Sequence, residues 1–375
     1  MKYYVIAGEA SGDLHGSNLL KALKKEDEAA DFQVWGGDLM QAAGGDLRKH
    51  YRDLAFMGFV EVVSNLGTIL RNIEFCKEDI IQYQPDALIL IDYPGFNLRI
   101  AKWAKEQGLK VIYYISPQLW AWHTSRVHDI KKTVDKMMVI LPFEKEFYQK
   151  YDYPVDFVGH PLLDVVENYH ANPEFLQKNN LANNKPIIAL LPGSRKQEIS
   201  KMLEVMLSVT PDFPDYQFVI AGAPSQPKSF YDTILKESKA AKEVQLVQNQ
   251  TYDLLSHAKA ALVTSGTATL ETALFQVPEV VCYKGSAISY AIAKRLVAKR
   301  IKFIALVNLI VDRLLVKELI QKDLNTNNLR QALSEILIPQ KAAEIKTGYA
   351  ELREKLGNAG ASARAAKVII QFLRG

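Results

Sequence analysis

The chain has 375 residues, 48% hydrophobic and 23% charged, with a formal net charge of +4. That length exceeds one ordinary core, so two domains are expected, and the composition is that of a folded globular protein. A charge this small gives no ground for nucleic-acid binding, and no apolar run is long and uncharged enough to span a bilayer, so any membrane contact is expected to be peripheral. The only cysteines, Cys76 and Cys282, are far apart. They make no metal motif or disulfide framework and fit a reducing compartment.

The first residues, Met1-Lys2-Tyr3-Tyr4-Val5-Ile6-Ala7, are too few for a signal peptide and suit a first buried strand. Apolar runs at 3–7, 32–35, 87–91, 111–115, 136–140 and 155–158 alternate with amphipathic helical stretches at 14–25, 66–82, 98–107 and 144–151. Continuous apolar strands separated by helices predict a parallel sheet covered on both faces. The polar stretch 168–185, with Pro173 and several asparagines, reads as a boundary. The pattern then restarts, with strands at 187–191, 217–221, 244–247, 260–264 and 280–283. The expected fold class is therefore α/β, with two doubly wound domains facing a cleft, at 1–165 and 166–340. Two final helices follow within 341–375, the last of which could cross back to the first domain.

Open α/β sheets bind ligands beyond the carboxyl ends of their strands, so the residues after each strand are the candidates. After the first strand comes Gly8-Glu9-Ala10-Ser11-Gly12-Asp13. It lacks both the dinucleotide fingerprint and the P-loop lysine, and fits either a ligand-binding turn or a plain helix start capped by Ser11 or Asp13. Asp92 leaves the five apolar residues 87–91, and Pro94-Gly95 turns the chain there. A carboxylate so placed is partly desolvated and suits a general base, or else caps a loop. Trp120 and Trp122 fit either sugar and acyl contact or core packing. His160 fits an acid, a base, a phosphate ligand or a structural ring.

In the second half, Leu191-Pro192-Gly193-Ser194-Arg195 follows a strand and opens a helix. A guanidinium beside backbone donors suits a diphosphate. Thr264-Ser265-Gly266-Thr267-Ala268-Thr269-Leu270-Glu271 ends another strand. Its hydroxyls and N–H groups suit phosphate oxygens, and Glu271, one turn into the helix, suits a ribose diol. No Asp-x-Asp motif is present, so neither a metal nor a cofactor is expected, and Arg195 with the helix termini would meet the charge of a leaving group.

Together these stretches resemble lipid-A-disaccharide synthases. To the segments above the resemblance adds Met57-Gly58-Phe59-Val60-Glu61-Val62, Ile91-Asp92-Tyr93-Pro94-Gly95-Phe96-Asn97 and Trp120-Ala121-Trp122. It continues through Leu141-Pro142-Phe143-Glu144, Gly159-His160-Pro161 and Lys317-Glu318-Leu319-Ile320-Gln321, in family order over nearly the whole chain. It implies two Rossmann-like domains of the GT-B glycosyltransferase type, the first binding the acceptor and the second the UDP-sugar. The implied substrates are UDP-2,3-diacylglucosamine and 2,3-diacylglucosamine 1-phosphate, joined β-1,6 with inversion and release of UDP. Asp92 is the implied base. Arg195, Ser265, Gly266, Thr267, Glu271 and Asn308 would contact the nucleotide, and Ser11, Glu9, His160 and Trp120 the sugars. A homodimer on the inner face of the cytoplasmic membrane is also implied. Two departures stand out: His123 where arginine is expected, and Val307 where proline is frequent.

Acylated substrates add a constraint, since exposing each methylene to water costs about 0.8 kcal/mol. The stretch 287–303 carries Lys294, Arg295, Lys299, Arg300 and Lys302 among apolar residues without an acid, and is expected to dock on anionic lipid. The apolar stretch 56–63 with Leu66, Ile69, Leu70 and Ile73 fits acyl contact or, preferably, core packing. Rival readings are another UDP-sugar enzyme of the same fold, or a non-catalytic membrane-binding protein.

Overall fold

The computed structural model describes residues 1–54, 66–122, 124–238, 244–285 and 302–375, apart from the side chains of Leu66, Ala121 and Trp122. The stretch 56–63, His123, Lys294, Arg295, Lys299 and Arg300 lie outside the described residues. The chain divides into two compact units, Met1–Asp164 with Leu356–Gly375, and Val165–Lys355.

Among the described residues the first unit holds seven strands: β1 (Lys2–Ala7), β2 (Asp31–Gly36), β3 (Asp46–His50), β4 (Ala87–Ile91), β5 (Val111–Tyr114), β6 (Lys136–Val139) and β7 (Asp156–Phe157). All pair in parallel in the order β3-β2-β1-β4-β5-β6-β7, with Val5 of β1 between Val34 of β2 and Ile89 of β4. The central strands are buried on both faces, as their unbroken apolar runs require. One face packs Tyr4, Ile6, Leu88, Leu90 and Tyr113 against Ile73, Cys76 and Ile80 of the helix Leu66–Tyr83 and Ile100 and Ala104 of Pro94–Glu106. The helix Ala10–Glu26 packs against the last helix, Ala361–Arg374. Asp164 holds that last helix by its N-terminus, accepting from the backbone N–H of Gly360, Ala361 (3.2 Å) and Ser362 (3.1 Å). Arg364 then donates from Nε to the Val158 carbonyl at 2.7 Å. Three orphan donors of a helix start are thus satisfied by one carboxylate.

The second unit holds β8 (Ile187–Leu191), β9 (Gln217–Gly222), β10 (Val244–Gln248), β11 (Ala258–Thr264), β12 (Glu279–Tyr283) and β13 (Lys317–Ile320). They too pair in parallel, in the order β10-β9-β8-β11-β12-β13. Two doubly wound parallel sheets are what the apolar runs predict. The strands they do not predict, β3 and β13, both lie at an edge, where half-exposed sequences such as Asp46-Leu47-Arg48-Lys49-His50 carry no buried-strand signature.

In each sheet the chain winds outward from the first strand, then returns to that strand's other side: β4 lies beside β1, and β11 beside β8. Each of these junctions is a topological switch point, where ligands enter such folds. No helix among the described residues is long and apolar enough to cross a membrane.

Candidate active site

At the first switch point the Gly8–Asp13 loop leaves β1 and the Asp92–Asn97 loop leaves β4. The loops touch: a Cβ on Gly8 would lie 2.3 Å from the Tyr93 ring, so only glycine fits there. Asp92 and Tyr93 both adopt left-handed backbone conformations, at φ 46° and 48°, and Ile115, just past β5, does so at 66°. Each such residue costs on the order of 1–3 kcal/mol and persists only where neighbours enforce it. Here the enforcement is visible. The Asp92 carbonyl accepts from Asn97 Nδ2 at 2.8 Å and from the Tyr113 hydroxyl at 2.5 Å, and Asn97 Nδ2 also donates to the Ile91 carbonyl at 3.2 Å.

Asp92 keeps some exposure, yet packing desolvates its carboxyl and the Glu9 carboxylate adds like charge, so its pKa is pushed up to about 7. A base with that affinity is half-ionised near neutrality and can still take a proton. Glu144 lies at the start of the helix Pro142–Gln149 and is 1% exposed. Burial pushes it up to about 8, although it accepts from the N–H groups of Leu141 (2.9 Å) and Ile140 (3.2 Å). Ser11 is exposed at the first turn of its helix. Asp13 does not cap that helix; its carboxylate accepts from the N–H groups of Gly37, Leu39 and Met40 at 2.8, 3.1 and 2.9 Å, capping the helix Asp38–Ala42 instead. Trp120 is half-buried, its ring edge-on to Phe143 at 4.9 Å.

His160 lies inside the fold. It is 2% exposed, its Nδ1 accepts from the Leu162 N–H at 3.2 Å, and burial with the neighbouring His15 draws its pKa down to about 3. A neutral ring so enclosed favours a packing role.

At the second switch point, Arg195 is exposed and occupies the N-cap position of the helix Lys196–Leu207. Gly193, at φ 113°, brings the loop so close to Glu198 that a Cβ would meet its carboxylate at 2.3 Å. Beyond β11, Gly266 at φ 144° is the N-cap residue of the helix Thr267–Leu274, with open space where a Cβ would be. Gly266 and Thr267 are exposed. The amides that begin this helix form an anion-binding end, and Glu271 lies four residues, about 6 Å, further along the axis. Burial raises the Glu271 pKa, and its Oε1 accepts from the Tyr252 hydroxyl at 2.9 Å.

Asn308 also lies inside the fold. It is fully buried, and its Nδ2 donates to the Val316 carbonyl and to Glu318 Oε1, both at 2.9 Å. Its Oδ1 accepts from the N–H groups of Leu315 and Val316, also at 2.9 Å. Every hydrogen-bonding position of the amide is satisfied inside the protein, so the side chain braces the loops around it. Glu318 completes that brace by accepting from the N–H groups of Ile304 and Ala305 at 3.0 and 2.9 Å. The Ile304 carbonyl in turn accepts from Ser265 Oγ at 3.1 Å, so this hydroxyl ties its loop down. Lys302 is exposed and pairs with Asp312 at 3.2 Å. Glu318, Tyr252, Asn97 and Glu144 are site-building residues to which the motifs assign no role. Glu318 and Tyr252 find partners on other elements, whereas Asn97 bonds back to Ile91 and Asp92, and Glu144, at the third position of a proline-started helix, to Ile140 and Leu141.

Comparison with known proteins bears on both halves. A family model described as lipid-A-disaccharide synthetase matches residues 3–372. A lipid-A-disaccharide synthase of Syntrophus aciditrophicus is 41% identical over 378 residues, covering 99% of this chain and 97% of that protein. One of Geobacter sulfurreducens is 38% identical, covering 98% and 96%. Solved structures at much lower identity share the fold. UDP-GlcNAc 2-epimerase from Neisseria meningitidis bound to UDP-GlcNAc aligns at 14% identity and TM-score 0.64, covering all of both chains. A glycotransferase of kitacinnamycin aligns at 13% and 0.64, covering 99% of each. With a match running from the first strand to the last helix, and relatives near two-fifths identical along their whole length, the chain belongs to the lipid-A-disaccharide synthase family.

Proposed function

We propose that this protein is an inverting glycosyltransferase that moves 2,3-diacylglucosamine from UDP-2,3-diacylglucosamine to the 6-hydroxyl of 2,3-diacylglucosamine 1-phosphate. The products are a β-1,6 disaccharide 1-phosphate and UDP. Family membership supports the substrates, and the single structural observation that carries the mechanism is Asp92, desolvated at a switch point with its pKa near neutrality.

In this reading the carboxylate of Asp92 accepts the proton of the acceptor hydroxyl. The oxygen bonds to the donor anomeric carbon from the face opposite the diphosphate. The bond from that carbon to the diphosphate oxygen breaks, and its electrons leave with UDP. Arg195 and the amides at Gly266 and Thr267 take up the charge that develops on the leaving group. Glu271 accepts from a ribose hydroxyl. Ser11, Glu9 and Trp120 contact the sugars. The enzyme works as a homodimer at the inner face of the cytoplasmic membrane, where Lys294, Arg295, Lys299 and Arg300 draw it to anionic lipid.

Asp92→Asn tests the mechanism. UDP affinity stays within about twofold while turnover falls by roughly 10²–10⁴, the usual worth of a general base. Near-normal turnover in this variant would remove Asp92 from the role.

A further inference from the structure

Glu271 alone is a poor ribose acceptor, because its carboxylate is buried, its proton affinity is raised, and a glutamate side chain turns freely about its last torsion. The structure supplies what corrects this. Tyr252, on the helix Thr251–His257, donates from its hydroxyl to Glu271 Oε1 at 2.9 Å. Its ring lies flat on Phe275, with centroids 5.2 Å apart and planes inclined 27°. Tyr169 meets Tyr252 and Phe275 edge-on, at 5.4 and 5.7 Å. Three rings therefore fix where the hydroxyl sits, in the offset and edge-to-face arrangements aromatic rings prefer. Burial and the adjacent Glu271 raise the Tyr252 pKa far above the physiological range, so the hydroxyl remains a donor.

We infer that Tyr252 is a positioning residue for nucleotide binding, orienting the Glu271 carboxylate so that Oε2 meets the ribose. This rests on the proposed role of Glu271. The hydrogen bond from Tyr252 favours the charged carboxylate, so its removal raises the Glu271 pKa further. The residue comes from a helix 19 positions before its partner, outside every motif that marks the nucleotide loops.

The test is UDP binding by calorimetry to wild-type protein, Tyr252→Phe and Glu271→Gln, from pH 8 down to the lowest pH at which all three stay folded. Phenylalanine keeps the ring stack and removes only the hydroxyl. Tyr252→Phe is expected to weaken UDP binding about three- to tenfold, the worth of one ordinary hydrogen bond. The ratio of its Kd to that of wild type should grow as pH falls, because the unsupported carboxylate protonates first. UDP's own phosphate titrates alike in both proteins and drops out of the ratio. A role confined to packing would lower the melting temperature and leave that ratio flat with pH. If Glu271→Gln weakens binding while Tyr252→Phe does not, the inference on Tyr252 is overturned and the ribose role of Glu271 stands. If Glu271→Gln binds UDP as wild type does, the ribose role itself fails.

Discussion

Glu9 and Asp92 end neighbouring strands of one sheet, and the charge on the first helps set the proton affinity of the second. Burial is the larger cause and Glu9 the next, so neutralising Glu9 lowers the Asp92 pKa without exposing it. A base must be ionised to act, so kcat/KM should rise with pH through about 7 in the native protein. In Glu9→Gln the same limb should move to lower pH, whatever happens to the maximal rate. A pH profile whose acid limb is unchanged in Glu9→Gln would show that the two groups do not communicate. At this scale the sequence is a good guide to loops and a poor guide to partners. The placement of Asp92 at a strand end is legible because Pro94-Gly95 turns the chain after five apolar residues. His160 and Asn308 are not, since only three-dimensional neighbours reveal that one ring is enclosed and one amide fully spent.

Elements carry the site by holding loops at strand ends, and two braces deserve tests. Glu318 on β13 ties together the N–H groups of Ile304 and Ala305 and the Asn308 amide, and the Ser265 loop hangs from the same segment. Glu318→Ala removes a cap and leaves a buried amide short of a partner, a loss of about 2–4 kcal/mol. The melting temperature should fall, and UDP binding should weaken more than in Lys317→Ala, whose side chain is exposed. Equal UDP affinity in the two variants would separate the brace from the nucleotide loop.

The second brace is the packing around His15 and His160. Burial draws their pKa values down from 6.5 to about 4 and about 3, so both rings stay neutral when folded and take up protons on unfolding below pH 6.5. Stability from this source is full above that pH and declines as pH falls toward those values. Melting curves at pH 7 and pH 5 should differ less in His15→Asn than in the native protein; an equal decline would place the acid sensitivity elsewhere. The inner strands are legible from apolar runs alone, while β3 and β13 are not. An edge strand has one neighbour and an open side, so its composition follows solvent as much as the sheet.

For the whole molecule the repeated winding matters most. Each sheet has its own switch point, with Asp92 following β4 at one and the Gly266–Thr267 helix start following β11 at the other. That much could be read from alternating apolar and amphipathic stretches and from the polar interruption at 168–185. Attraction of about 1 kcal/mol for each cation near an anionic surface predicts liposome binding that weakens as salt is raised, and neutralising Lys294, Arg295, Lys299 and Arg300 together should reproduce the high-salt result. Binding indifferent to salt would assign docking to apolar contact instead.

The central claim is sugar transfer between two acylated glucosamines. Purified protein incubated in detergent with UDP-2,3-diacylglucosamine and 2,3-diacylglucosamine 1-phosphate should release UDP and form a disaccharide monophosphate in equal amounts, and should release almost no UDP when the acceptor is left out. UDP release that ignores the acceptor, or no disaccharide under conditions where UDP binds, would contradict it.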